Sequence, residues 1–127
     1  MKQIISGNID DNCPTLTAAI SEKKCLVFTI NGRLLFTVDS GFSGGVALPI
    51  ELLSKLNIRF IGYENYSLAD GTIIQLKEYY GIVEIGKEKV LTTFIEGDFL
   101  IGIEFMKSIA DKLIVDFRKQ KITLLRD

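Results

Sequence analysis

The chain has 127 residues, enough for one domain that buries roughly two thirds of the surface its unfolded form exposes, so no second domain is required. Its 47% hydrophobic and 24% charged residues exclude a disordered chain, and 15 basic against 16 acidic residues leave no global field for nucleic acid or an anionic membrane. The count of zero histidines excludes Ser-His-Asp and Cys-His catalysis and removes the commonest zinc ligand, so neither metal nor cofactor is expected.

From the start of the chain, Met1-Lys2-Gln3-Ile4-Ile5 is too short, and too soon followed by Asp10 and Asp11, to read as a signal peptide. No apolar run reaches the ~18 residues of a membrane span, and a cytoplasmic protein is expected. Residues 1–13 carry no assigned role. Cys13 and Cys25 form neither a disulfide framework nor a CxxC pair and read as structural thiols.

The apolar pattern is mainly that of strands: Thr15 to Ile20, Cys25 to Ile30, Leu34 to Val38, Tyr63 to Leu68, Thr72 to Glu78, Tyr80 to Ile85, Val90 to Ile95, Leu113 to Phe117 and Ile122 to Leu125. Asn31-Gly32, Asp70-Gly71 and Gly86-Lys87 supply residues that accept positive φ, so each predicts a hairpin and the whole an antiparallel all-β domain. Two segments break the pattern. Pro49 to Leu56 reads as a short helix begun by proline, and Ile103 to Ala110 as a second, with Ile103, Met106, Ile109 and Ala110 on one face. The basic runs Lys87-Glu88-Lys89 and Arg118 to Lys121 read as solvated turns. A mean hydropathy of +0.27 points to some apolar surface covered by a partner.

The chemistry concentrates in VDSGFSGG, Val38 to Gly45, which fits two catalytic patterns. Gly41 to Gly45 matches the G-x-S-x-G turn of a hydrolase serine, but Ser43 has no histidine to take its proton and no lysine is marked as a substitute. The carboxylate reading is better served. Phe36-Thr37-Val38 is a buried-type strand that carries Asp39 out of the core at its end, and Gly41 lets the backbone turn behind the carboxyl. An Asx or ST turn, with Asp39 and Ser40 only capping a loop, is the structural alternative.

In the wider chain, VDSGFSGGVALP resembles the active-site loop of retropepsin-like aspartic proteases (clan AA), particularly small microbial members in which D-[ST]-G-F-[ST] leads to a proline-initiated helix. Leu68-Ala69-Asp70-Gly71-Thr72 lies where that family carries its flap hairpin. Phe99 to Met106 resembles its second marker, Leu113 to Phe117 the strand that follows, and Pro14 to Ile20 the N-terminal interface strand. The resemblance covers residues 14–125. Ser40 stands where threonine is commoner, Phe42 is bulkier than the alanine of viral members, and Gly44-Gly45 adds flexibility behind the loop.

The resemblance implies an all-β, closed acid-protease half-barrel with one or two short helices, as a single domain over residues 1–127. It implies an aspartic endopeptidase without cofactor. The chain has one D-S-G, and Asp70, Asp98, Asp111 and Asp116 lack its context, so the implied enzyme is a homodimer in which each copy contributes Asp39. Ser40 and Gly41 would support the loop, and Ala69, Asp70 and Gly71 would close over a peptide in a tunnel lined by Phe42, Val46, Leu68 and Ile73. Its partners would be a second copy and a peptide or protein substrate, with no nucleic acid or membrane. A dimeric, non-catalytic module that holds a peptide or serves as a scaffold is the competing class.

Overall fold

The computed structural model describes residues 1–20, 34–56 and 58–127. Among these residues the chain forms ten strands and two short helices: β1 (Lys2–Asp10), β2 (Cys13–Ile20), β3 (Leu34–Val38), β4 (Val46–Leu48), α1 (Ile50–Leu53), β5 (Arg59–Ser67), β6 (Ile73–Ile85), β7 (Glu88–Glu96), β8 (Leu100–Ile101), α2 (Ile103–Ile109), β9 (Lys112–Asp116) and β10 (Lys121–Arg126). The domain is therefore all-β. The strand predicted at Cys25 to Ile30 and the Asn31-Gly32 hairpin lie outside the described residues.

The strands make one sheet in the order β5-β6-β7-β4-β8-β3-β2-β1-β10-β9, and additional rungs Ala19↔Glu84 and Ile20↔Val83 join β2 to β6. Those rungs fold the sheet back on itself, so that β2, β3, β8, β4, β7 and β6 surround one core. Phe36, Phe94 and Phe105 are fully buried there with Leu48, Ile85 and Ile101, each contributing on the order of 1.5–3 kcal/mol by leaving water. Val46 to Leu48 and Thr92 to Ile95 are buried at every position, the pattern of strands covered on both faces.

Two of the predicted hairpins form as expected. β5 meets β6 through a turn with Gly71 at φ +87°, and β6 meets β7 around Gly86 at φ +57°. Residues 72–85, expected as two strands, contain the single 13-residue strand β6. It stays continuous because it changes partner along its length, pairing with β5 up to Tyr80 and with β7 from Tyr79 onward.

The unassigned N-terminal residues are part of the sheet. β1 pairs with β10 from Lys2↔Arg126 to Asn8↔Lys121 and turns into β2 through Asp11 and Asn12, at φ 50° and 62°. Two consecutive positive φ values suit the right-handed strand twist, and Asp and Asn are the non-glycine residues that accept them most readily. The predicted strand Pro14 to Ile20 lies within β2, which pairs with β1 over Cys13–Thr15, with β3 over Thr15–Ala18 and with β6 at Ala19 and Ile20.

Both helices form within their expected spans. α1 covers Ile50–Leu53, with Pro49 as the preceding cap residue whose carbonyl accepts the Leu52 and Leu53 N–H groups, and Ser54 to Leu56 continue as turns. α2 ends at Ile109, burying Phe105, Met106 and Ile109.

Candidate functional site

β3 delivers Asp39 to its end, where the Asp39 N–H donates to the Ile101 carbonyl at 3.0 Å and so extends the parallel pairing of β3 with β8 by one step. The chain then turns at once: the Phe42 N–H donates to the Asp39 carbonyl at 3.1 Å and the Gly41 N–H to Asp39 Oδ1 at 2.9 Å. The second bond makes an Asx turn, holding the carboxyl by one oxygen.

The rest of the loop is tied to the start of α2. Gly102 donates its N–H to the Gly45 carbonyl at 2.8 Å, Ile103 to Phe42 at 2.8 Å and Glu104 to Gly44 at 3.1 Å. The first N–H groups of a helix have no partner within it, and here the loop carbonyls satisfy them. Gly102 is required at this contact, because a Cβ there would overlap the Gly44 carbonyl oxygen and the Phe42 ring. A side-chain relay completes the attachment: the Gly45 N–H donates to Thr93 Oγ1 at 3.2 Å, and that hydroxyl donates to Glu104 Oε1 at 2.9 Å. Asp39 thus projects from a loop braced on three sides, by β8, α2 and β7.

An open groove of about 830 Å³ runs past it. Asp39, Gly41, Phe42 and Ser43 form one wall, the β5-β6 hairpin the second, and Ala47, Leu100 and Ile95 to Gly97 the third. In the hairpin wall the Tyr66 ring lies 6.1 Å from that of Phe42, and its hydroxyl donates to Glu78 Oε2 at 3.0 Å. Burial, then that hydrogen bond, then the charges of Glu78, Glu104 and Glu64 push the Tyr66 phenol pKa up. At the tip, Thr72 donates its N–H to Asp70 Oδ1 at 2.8 Å, and hydrogen bonding from Thr72 holds the Asp70 carboxyl below the usual aspartate range.

Of the residues singled out from the sequence, Asp39, Gly41, Phe42, Leu68 and Ala69 line this groove together. Ser40 is exposed on the turn beside it, and Asp70 and Gly71 sit at the exposed tip of the hairpin. Val46 points into the core at 0% exposure, and its neighbour Ala47 takes the groove position. Ile73 is 67% exposed, while Ile74 and Leu76 line the groove. Both shifts are one residue, which in a strand is a change of face. Tyr66 and Glu96 were not anticipated. Tyr66 lies in the predicted flap strand, two residues before Leu68 and therefore on the same face.

Glu96 is the other acid of the groove, at the end of β7 opposite Leu48. Strands β8 and β4 separate β7 from β3 and the registers set Ile95 level with Thr37, so Glu96 and Asp39 stand three strand spacings apart across the sheet and three residues apart along the strands, roughly 17 Å over a flat sheet. Among the described residues no group of three or more Cys, Asp or Glu side chains is placed to hold a metal ion, and no helix is long and apolar enough to cross a membrane. No protein-family model matches the chain, and no curated protein matches it.

Proposed function

We propose that the chain is an aspartic endopeptidase that works as a homodimer with a retropepsin-like half-barrel fold, each copy contributing Asp39. The observation that carries this reading is the placement of Asp39: at a strand end, on a braced loop, in the wall of a groove covered by a hairpin. Hydrolysis of a peptide bond needs two carboxyls on one water, one ionised to take its proton and one protonated to polarise the scissile carbonyl. Glu96 stands too far along the sheet to share that water. The second carboxyl is therefore Asp39 of a second copy, brought across a twofold axis.

Two like charges at contact distance do not both ionise cheaply, so the pair holds one proton between them and titrates as a unit; aspartic proteases are the standing example. The water oxygen attacks the carbonyl carbon as its proton passes to the ionised carboxyl. The C–N bond then breaks as the leaving nitrogen is protonated. The hairpin supplies the substrate's backbone with an additional strand partner and keeps bulk water from the reaction. The Asx turn favours a second reading, in which the Asp39 carboxyl serves the loop and the groove only holds a peptide.

Peptide-library cleavage between about pH 4 and 7, by the wild type and by Asp39→Asn at the same oligomeric state, separates the two readings. Cleavage by a dimer that vanishes in a folded, dimeric Asp39→Asn supports the protease. A folded wild type that binds peptides and cleaves none supports the binding module.

A further inference from the structure

The groove carries its charge unevenly. Asp39 and Glu96 are the charged side chains that line it, both are acidic, and no lysine or arginine among the described residues joins them. The remaining walls are apolar or neutral, with Phe42, Leu68, Ile74 and Leu100 supplying most of the hydrocarbon. Glu96 is exposed and makes neither an ion pair nor a side-chain hydrogen bond among the described residues. Lys77 lines an adjoining cavity of about 300 Å³ that Glu96 also lines, and it forms no ion pair with Glu96. A carboxylate at the end of a core strand, in the wall of a largely apolar groove that itself holds no basic side chain among the described residues, is a recognition element for a cation.

We infer that Glu96 forms a subsite for a lysine or arginine side chain in an otherwise apolar extended peptide. The inference rests on the peptide-groove reading above, and it adds a substrate class to it. Glu96 stands roughly 17 Å over the sheet from Asp39 and an extended peptide rises about 3.3 Å per residue, so the basic residue falls within about five residues of the cleaved bond. In a symmetric dimer each copy brings its own Glu96, so the preference recurs at equivalent distances on both sides of that bond.

The test uses extended apolar peptides of about ten residues in which lysine or its uncharged counterpart norleucine occupies each position in turn. Binding and cleavage are measured in the same samples for the wild type and for Glu96→Gln. Lysine should strengthen binding about fivefold at the favoured positions, and the ratio should fall to about one in Glu96→Gln and at high salt. Cleavage without a lysine preference, or a preference that survives in Glu96→Gln, overturns the subsite and leaves the protease reading standing. A Glu96-dependent preference without cleavage keeps the subsite and removes the protease. Neither binding nor cleavage overturns both. Should Glu96→Gln fail to fold, Glu96→Ser takes its place in the same comparison.

Discussion

The body of the sheet and the β5-β6 hairpin are built from similar residues and held by different forces. In β4 and across Thr92 to Ile95 every side chain is buried, whereas along Arg59–Ser67 only Gly62 and Tyr66 are partly covered and Phe60 and Tyr63 stand in solvent. Hydrophobic burial secures the first region. Backbone rungs secure the second, together with aromatic contacts such as Phe60 with Tyr63 and Tyr79, at 5.6 and 5.8 Å between ring centroids. β6 belongs to both, and its buried residues Val83 and Ile85 lie at the body end. Local opening therefore begins in the hairpin, and the groove lies along the boundary between a rigid wall and a yielding one.

The contrast breaks most sharply through the body. Phe94→Ala removes a fully buried ring from a strand covered on both faces, and urea denaturation should record a loss of about 3–5 kcal/mol. A loss below about 1 kcal/mol would mean that the core collapses around the gap. Next comes the seam itself: Gly102→Ala forces the Gly44 carbonyl and the Phe42 ring to move, costing about 2 kcal/mol and distorting the groove. A crystal structure of that variant with an unmoved loop would contradict the bracing described here.

Tyr66→Phe sharpens the comparison on the hairpin side. It removes one hydroxyl donor to Glu78, so stability should fall by about 1 kcal/mol while amide exchange across Leu68 to Thr72 accelerates. The raised Tyr66 pKa gives this contribution a sign: it is fully present below the unfolded tyrosine value of about 10 and drains away as pH rises through the higher folded value. Wild-type stability should accordingly decline in alkali more steeply than that of Tyr66→Phe. The smallest effect lies at the tip. Asp70 has a lowered pKa, so its bond from Thr72 is intact above the ordinary aspartate range and fails as pH falls through the folded value. Amide exchange at Thr72 should quicken in acid, and Asp70→Asn should lose that dependence.

The elements that were legible in the sequence are those whose signal is local. Asp70-Gly71 and Gly86-Lys87 declare their turns through residues that accept positive φ, and Leu34 to Val38 reads as the strand it is. β4 and β8, of three and two residues, are too short to show a period, and pairing with neighbours remote in sequence makes them strands. β1 hid behind the polar residues Ser6, Asn8 and Asp10 and a turn without glycine. The Asp39 loop was visible because three consecutive residue types carry its chemistry. The groove's opposite wall was harder to place, since Ile73-Ile74 is apolar at both positions and alternation cannot choose the inward one. Glu96 gave no signal in the sequence, because only the strand order brings it into the same groove as Asp39.

The pairing of β1 with β10 also bears on how the chain acquires its structure. Lys2 lies against Arg126, a contact spanning almost the whole chain, and long sequence separation between partners slows folding because a large loop must close first. During synthesis β1 is made long before β10 and lacks that partner until β10 follows. It can form its hairpin with β2 early, through Asp11 and Asn12, but its longer ladder waits for β10. The hydrogen bonds that brace the Asp39 loop, by contrast, all lie within residues 39–104, while the core beneath it also takes Ile122 and Leu124 of β10.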